Sequence, residues 1–302
     1  MDKLTIAVTS RNYFNVPVWL ARYAGLFAEE RLDVQINHIE AIDAVNASIT
    51  TGEAQFAYGI TEHVILDMEA GGHQVIIGGN VNRLPFSLIS TPEIKNFEDL
   101  KGRTIGVSSL DAGSSSLIMK LLSARGLHYP RDYSMVACGP ILARWEKLQS
   151  GEIQAGLQGV PLNYIARDQG FNSLCEPRDE VPWFQFTSLN ADRRWLEANR
   201  PLAIRFLRAF LRAHERFYAD AAMVSAVVVK ESGISPEYAE RAWAEYAHAG
   251  IFPRDGEANE DGVQALIETS SLIREIPDRA RTRAEHYIDR SWLAEARRSL
   301  VS

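Results

Sequence analysis

The stretch SGEIQAGLQGVPLNYIARDQG, Ser150–Gly170, restates an earlier one, TGEAQFAYGITEHVILDMEAG, Thr51–Gly71. Gly52, Glu53 and Gln55 match Gly151, Glu152 and Gln154 at an offset of 151 − 52 = 99. TIAVTS, Thr5–Ser10, meets TIGVSS, Thr104–Ser109, at the same 104 − 5 = 99. AGL, Ala24–Leu26, corresponds to RGL, Arg125–Leu127, at 125 − 24 = 101, so two residues are inserted between. Each half then reads alike. A β-branched strand (Leu4–Val8; Thr104–Val107) precedes a helix with apolar Val18, Leu20, Tyr23 and Phe27, or Leu117, Ile118, Leu121 and Leu122. Gly25 or Gly126 closes that helix. A second strand follows (Val34–Ile39; Tyr133–Ala137), then a helix, a short strand (Phe56–Tyr58; Ala155–Leu157) and another helix. A βαβαβα unit used twice predicts an α/β fold with mostly parallel sheets covered on both faces.

From Val181 the texture changes. VPWFQFTSLN, Val181–Asn190, holds a strand-like run, and helices dominate beyond it. PLAIRFLRAFLRAHERFYAD starts with Pro201 in a first turn and repeats Leu202, Phe206, Phe210, His214 and Phe217 on one stripe, where His214 reads as a packed histidine. SPEYAERAWAEYAHAG offers Ser235 as N-cap, Pro236 at N1 and Gly250 as a stop. The tail Pro277–Ser302 reads as a solvated helix pattern.

Composition narrows the partners. The 302 residues fit two domains, and a net charge of −7 argues against nucleic acid, which needs a basic excess. The longest aliphatic run, AVVV at Ala226–Val229, cannot span a bilayer. Cys138 and Cys175 cannot form a disulfide framework or a metal cluster alone, and read as two free thiols, with a single bridge left open. MDKLTIAVTS enters a strand at once, without a leader pattern. As written the chain is expected to be cytoplasmic, or periplasmic if it is a mature form given a start Met.

In open parallel sheets ligands bind beyond the carboxyl ends of the strands. That rule selects SRNYFN, YGITEH, SLDAGSSS, CGP and QGVP. The expected ligand contacts are Ser10, Arg11, Asn12, Tyr13, Phe14, Tyr58, Gly59, Thr61, Asp111, Gly113, Ser114, Ser115, Ser116, Gly139 and Gly159, with Arg83 near a crossover. Gly113 lets three serines open a helix, an arrangement open to an anion, although N-capping by Ser114 or Ser115 explains it equally. Arg11 could grip a carboxylate or sulfonate as a fork, or be a surface arginine. Trp183 and Phe184 could stack a ligand or pack a hinge. In Thr61-Glu62-His63 a carboxylate adjoins an imidazole, an acid/base candidate. The plainer reading is a Thr61 cap with Glu62 in the first turn, since adjacent helix residues do not face each other. No P-loop, GxGxxG, HExxH, paired CxxC or GxSxG occurs, so no metal or cofactor is expected.

Together PVWLARYAGLFAEERLDVQI, ITTGEAQFAYG, FEDLKGRTIGVSSLDAGSSS, LQSGEIQAGLQGVPLNYIARDQG and NRPLAIRFLRAFLRAHERFYAD resemble the NMT1/THI5-like group of type II periplasmic-binding-protein folds. That group includes nitrate-, sulfonate- and taurine-binding proteins of ABC importers. The resemblance implies two duplicated lobes joined by a hinge of two crossovers: residues 1–85 and 190–302 in one, 86–189 in the other. It further implies monomeric capture of a small organic anion and, after export, delivery to a permease. The alternative is a cytoplasmic enzyme of the same fold, decarboxylase-, desulfinase- or hydrolase-like, acting on a small organic acid, and a cytoplasmic sensor is a third class. For an enzyme, Glu62 or His63 would be the base and Cys138 a nucleophile. The chain lacks the cysteine cluster of pyrimidine-precursor synthases.

Overall fold

The computed structural model describes residues 1–110, 113–273 and 283–301. Ten strands are formed: β1 Asp2–Thr9, β2 Leu32–Ile39, β3 Phe56–Ile60, β4 Gln74–Val81, β5 Phe86–Ser90, β6 Thr104–Val107, β7 Ser134–Ala137, β8 Ala155–Gly159, β9 Asn172–Cys175 and β10 Thr187–Asp192. They make two five-stranded sheets, ordered β2-β1-β3-β10-β4 and β7-β6-β8-β5-β9. In each sheet the parallel strands of the repeat lie together, and one antiparallel strand, β10 or β5, is inserted beside the third. Both are the first strands formed after the chain enters that unit. The repeat therefore accounts for three strands per sheet, and β4, β5, β9 and β10 complete the two sheets.

The chain divides into Met1–Arg83, Gln185–Val263 and Arg283–Ser302 as one compact unit, and Leu84–Phe184 with Gln264–Thr282 as the other. This differs from the division expected above. β10 lies wholly in the first unit, because it is hydrogen-bonded between β3 and β4. Gln264–Thr282 falls in the second, where Leu266 lies against Gly113. The chain thus passes between units four times rather than twice.

The matched glutamines explain why the repeat is visible. Gln55 donates its N–H to Thr5 O at 3.0 Å, and its Oε1 accepts Thr5 N–H at 2.8 Å. Gln154 repeats both bonds with Thr104, at 2.9 and 3.1 Å. One side chain thus completes the ladder start of each first strand, where an unmet buried N–H would be costly. Gly25 and Gly126, at φ 72° and 77°, end the matched helices in the left-handed region.

In the first unit the helix Arg200–Ala219 buries Phe206, Phe210, His214 and Phe217. Phe206 stacks on Phe56 at 3.9 Å and Phe27 at 5.6 Å. Ser235 caps Tyr238 N–H, and Gly250 ends that helix at φ 61°, as the sequence requires. The helix Ser291–Val301 departs from a solvated pattern: Trp292, Leu293 and Ala296 are buried, and Arg200 lies over the Trp292 ring at 4.5 Å. The second unit packs Ile89, Cys138, Trp145, Leu148, Ile153 and Ala166 together.

Candidate functional site

Loop by loop, the strand ends of the first unit are held by their own side chains. Ser10, after β1, sits at φ +39°, a conformation that favours glycine. Two asparagines fix it. Asn12 Nδ2 donates to Thr9 O at 2.8 Å while its Oδ1 accepts Phe14 N–H at 2.9 Å. Asn15, buried and not anticipated from sequence, donates to Ser10 O at 2.6 Å. Tyr13 packs on Tyr246 with ring centroids 4.5 Å apart, and Phe14 meets Phe186 edge-on at 5.7 Å.

Three expected contacts have other partners here. Arg11 forms an ion pair with Glu231, a nearly buried carboxylate that also accepts Tyr23 Oη–H at 2.8 Å. Arg83 donates to Ala249 O at 2.9 Å, at the carbonyl end of the helix Pro236–Ala249, where a cation is favoured. Tyr58 is buried in the core. His214 Nδ1 faces Pro253 O at 2.7 Å, so that nitrogen carries the proton and Nε2 accepts Tyr58 Oη–H at 3.3 Å. Burial pushes His214 down to about 4 and Tyr58 well up, so the pair stays neutral.

His38, at the end of β2, was also missed. Trp19 Nε1–H donates to its Nε2 at 3.2 Å, and burial, with the Arg11 charge added, holds the imidazole below the usual histidine range. No sequence signal marked it, because it sits within an ordinary strand.

Beyond β3, Gly59 is required by packing: a Cβ there would fall 1.6 Å from Asn46 Oδ1. Thr61 does not cap its helix. Ile60 is the cap residue of Thr61–Glu69, and Thr61 Oγ1–H instead donates to Ser188 Oγ at 3.0 Å, whose hydroxyl bonds Asn190 Oδ1 at 2.6 Å. Glu62 is buried in the first turn, and His63 Nε2 lies 3.4 Å from the exposed Asp43.

In the second unit Ser114 Oγ accepts Ser108 N–H at 3.1 Å and bonds Ser108 Oγ at 2.6 Å. It ties the helix Gly113–Ser123 to the end of β6, as Asn15, 114 − 15 = 99 residues earlier, ties its own loop. Ser115 donates to Ser109 O and Ser116 to Gly113 O. Asp111 lies outside the described residues. Gly139, at φ +74°, has open space where a Cβ would be, and its N–H bonds Ser108 O at 3.0 Å. Gly159 is lined by Phe86 and Ile141. Cys138 is a free, buried thiol whose pKa burial pushes up, and Cys175, also free, is pushed up to about 12 by burial. A raised pKa is the opposite of nucleophile activation. Trp183 is half exposed and Phe184 wholly buried.

Sequence reasoning also missed Arg144 and passed over Gln158, both fully in the interior. Arg144 extends from the helix Ile141–Gln149, and its Nε–H donates to Leu157 O at 2.8 Å. Burial brings its guanidinium down to about 10, still charged at neutral pH. Among the described residues no cluster of three or more His, Cys, Asp or Glu could hold a metal, and no helix is long and apolar enough to cross a membrane.

The fold and these loops can be set beside known proteins. The NMT1/THI5-like family model matches residues 13–222, more than half of the chain. The chain belongs to the NMT1/THI5-like family. The alkanesulfonate-binding protein SsuA from Xanthomonas axonopodis pv. citri, bound to MOPS, is similar at 17% identity, TM-score 0.73 and 98% coverage of both chains. The aliphatic sulphonate binding protein SsuA from Escherichia coli gives 17% identity and TM-score 0.75 over 97% of this chain and 99% of that one. The nitrate-binding protein NrtA from Synechocystis PCC 6803 gives 11% and 0.81 over 99% and 89%. At these identities the likeness establishes the type II periplasmic-binding-protein fold. No curated protein matches the chain.

Proposed function

We propose that this NMT1/THI5-like chain captures a small organic anion for an ABC-type importer, with strand-end loops of both units as the expected contacts. The observation that carries the reading is full-length likeness, over both units, to binding components for alkanesulfonates and nitrate. Two features support it. The loop after β1 is held in a strained backbone by Asn12 and Asn15, and strain of that kind concentrates at ligand sites. The nucleophile an enzyme would use is not activated: burial raises the pKa of the Cys138 thiol. A clamp needs complementarity to the ground state and gains nothing from a proton shuttle. We propose further that it works as a monomer and, where exported, delivers its ligand to a permease.

The test is native mass spectrometry of protein purified without denaturation. A retained small molecule, lost on unfolding and raising the melting temperature when added back, supports capture. The double substitution Glu62→Gln, His63→Asn should leave that shift in place. Conversion of the retained molecule into a released product, abolished by the double substitution, would instead make the chain an enzyme.

A further inference from the structure

The internal repeat supplies its own control. In the first unit Val45 of the helix Ile42–Thr50 packs with Ala7, Ala57, Ile49 and Ala54 in a purely apolar cluster. Adding 99 to Val45, Ala7 and Ala57 gives Arg144, Gly106 and Gly156. All three positions change together. Both strand residues lose their Cβ, and an arginine enters where a valine served.

The geometry shows why the changes are linked. Gly106 and Gly156 are paired neighbours in β6 and β8. A Cβ on Gly156 would stand 3.0 Å from Arg144 Cδ, whereas one on Gly106 would meet Ile153 Cδ1 at 2.3 Å and Cys138 Sγ at 3.0 Å before Arg144 Cγ at 3.2 Å. The arginine stem therefore lies over two bare strand positions, with Gly156 kept bare chiefly by Arg144 and Gly106 chiefly by Ile153. On the same helix Leu142 is 59% exposed while Arg144 is 3% exposed, an inversion of the usual amphipathic order.

The strands also part at this point. The β1–β3 ladder runs on to Val8↔Tyr58, whereas the β6–β8 ladder ends at Gly106↔Gly156. One step further, Leu157 O accepts Arg144 Nε–H, and Ser108 N–H turns to Ser114 Oγ. Next comes Gln158, wholly buried, with neither Oε1 nor Nε2 partnered among the described residues. Its counterpart in the first unit is Gly59, at 158 − 59 = 99, so the fold does not call for an amide there.

A buried guanidinium is tolerated when something negative meets it. Among the described residues no carboxylate pairs with Arg144. The adjacent Cys138 thiol, pushed up by burial, is neutral at pH 7. Arg11 and Arg83, by contrast, already have partners.

We propose that Arg144 and Gln158 form an oxyanion site at the parted carboxyl ends of β6 and β8, and that it takes the carboxylate or sulfonate of the ligand. The guanidinium fork meets two oxygens of such a group, and the Gln158 amide donates to an oxygen beside them. The proposal rests on the capture reading above and moves its anchor from Arg11 to Arg144.

The test uses the full chain with sodium methanesulfonate and sodium acetate as probes, against sodium chloride at equal ionic strength. The parent should melt higher in methanesulfonate or acetate than in chloride. Arg144→Met should lose that difference and, with an unpaired buried charge removed, melt in chloride at or above the parent. Gln158→Leu should weaken the half-point of the response about tenfold. A parent indifferent to both oxyanions, or an Arg144→Met protein that keeps the response, overturns the site. Should Arg144→Met not fold, the Arg144 Nε resonance, identified by its loss in Arg144→Lys, must move on methanesulfonate or acetate addition, and a static resonance overturns the site equally. The two readings fail separately. A molecule retained in native mass spectra equally by parent and Arg144→Met leaves capture standing and removes this anchor. An Arg144-dependent response to methanesulfonate or acetate in a protein that retains no molecule in native mass spectra leaves the anchor and removes capture.

Discussion

Acidification should destabilise the first unit through one histidine. His214 is wholly buried, its pKa is down to about 4, and both ring nitrogens are used, toward Pro253 O and Tyr58 Oη. Burial is the main cause, with the bond to Pro253 O and the charge of Asp255 opposing it. An unfolded histidine titrates near 6.5. Because the folded pKa is lowered, the unfolded chain binds the extra proton first, between pH 6.5 and 4. Stability is then full above the unfolded pKa and falls as pH drops toward the folded one. A difference of about 2.5 units corresponds to about 3 kcal/mol once both states are protonated, and to about 2 kcal/mol already at pH 5. Urea unfolding at pH 7.5 and 5.0, for the parent and for Tyr58→Phe/His214→Phe, isolates this contribution from other titrations. The parent should lose about 2 kcal/mol more than the double variant over that interval. Equal losses, or a His214 ring signal titrating near 6.5 in the folded protein, would refute the reasoning.

Further outcomes follow from packing and burial. Gly156→Ala should cost about 1–3 kcal/mol by overpacking against Arg144, and most of that should return in Gly156→Ala/Arg144→Val, read from denaturation midpoints as a double-mutant cycle. Gly59→Ala should cost a similar amount of about 1–3 kcal/mol, relieved by Asn46→Ala, because its Cβ would meet Asn46 Oδ1. Arg11→Ala, at an arginine 56% exposed, should change stability by about 1 kcal/mol or less. Iodoacetamide at pH 8 should label Cys138 and Cys175 far more slowly in the folded protein than in urea, since burial raises both thiols; equal rates would contradict the burial.

The parts of this protein that were legible in its sequence are those the repeat uses twice. Gln55 and Gln154 do the same work on Thr5 and Thr104, so identity survived at both places. The cap at Ser235 and the stop at Gly250 are local chemistry and read directly. β10 overlaps the strand-like run Val181–Asn190, but its antiparallel place did not read, nor did β5, because both owe their place to pairing with distant strands rather than to a neighbouring pattern. Arg11 and Arg83 were placed at strand ends, but Glu231 and Ala249, more than 160 residues away, decide what they bind. Arg144 hid for the opposite reason. A charged residue in ILARWEKLQ reads as solvent-facing, and the clue lay elsewhere, in two glycines within strands.

That contrast bears on how a duplicated fold acquires a site. The valine, alanine and alanine arrangement of the first unit shows what the architecture accepts at least cost: apolar side chains closing on a sheet. Replacing it with arginine over two glycines gives up apolar contact, loosens two strand positions and puts a charge into the interior, each change destabilising by itself. Local choices that oppose the fold's own preference are expected where function demands them. The same logic explains the Ser10 loop, where a strained backbone is kept by two asparagines rather than relieved by glycine. Each departure has its own consequence. In the first unit the two asparagines fix the backbone groups of the Ser10 loop, and replacing them should loosen that loop. In the second, on the proposed reading, the buried Arg144 guanidinium attracts an oxyanion, and replacing it should remove the response to methanesulfonate and acetate by removing the charge itself.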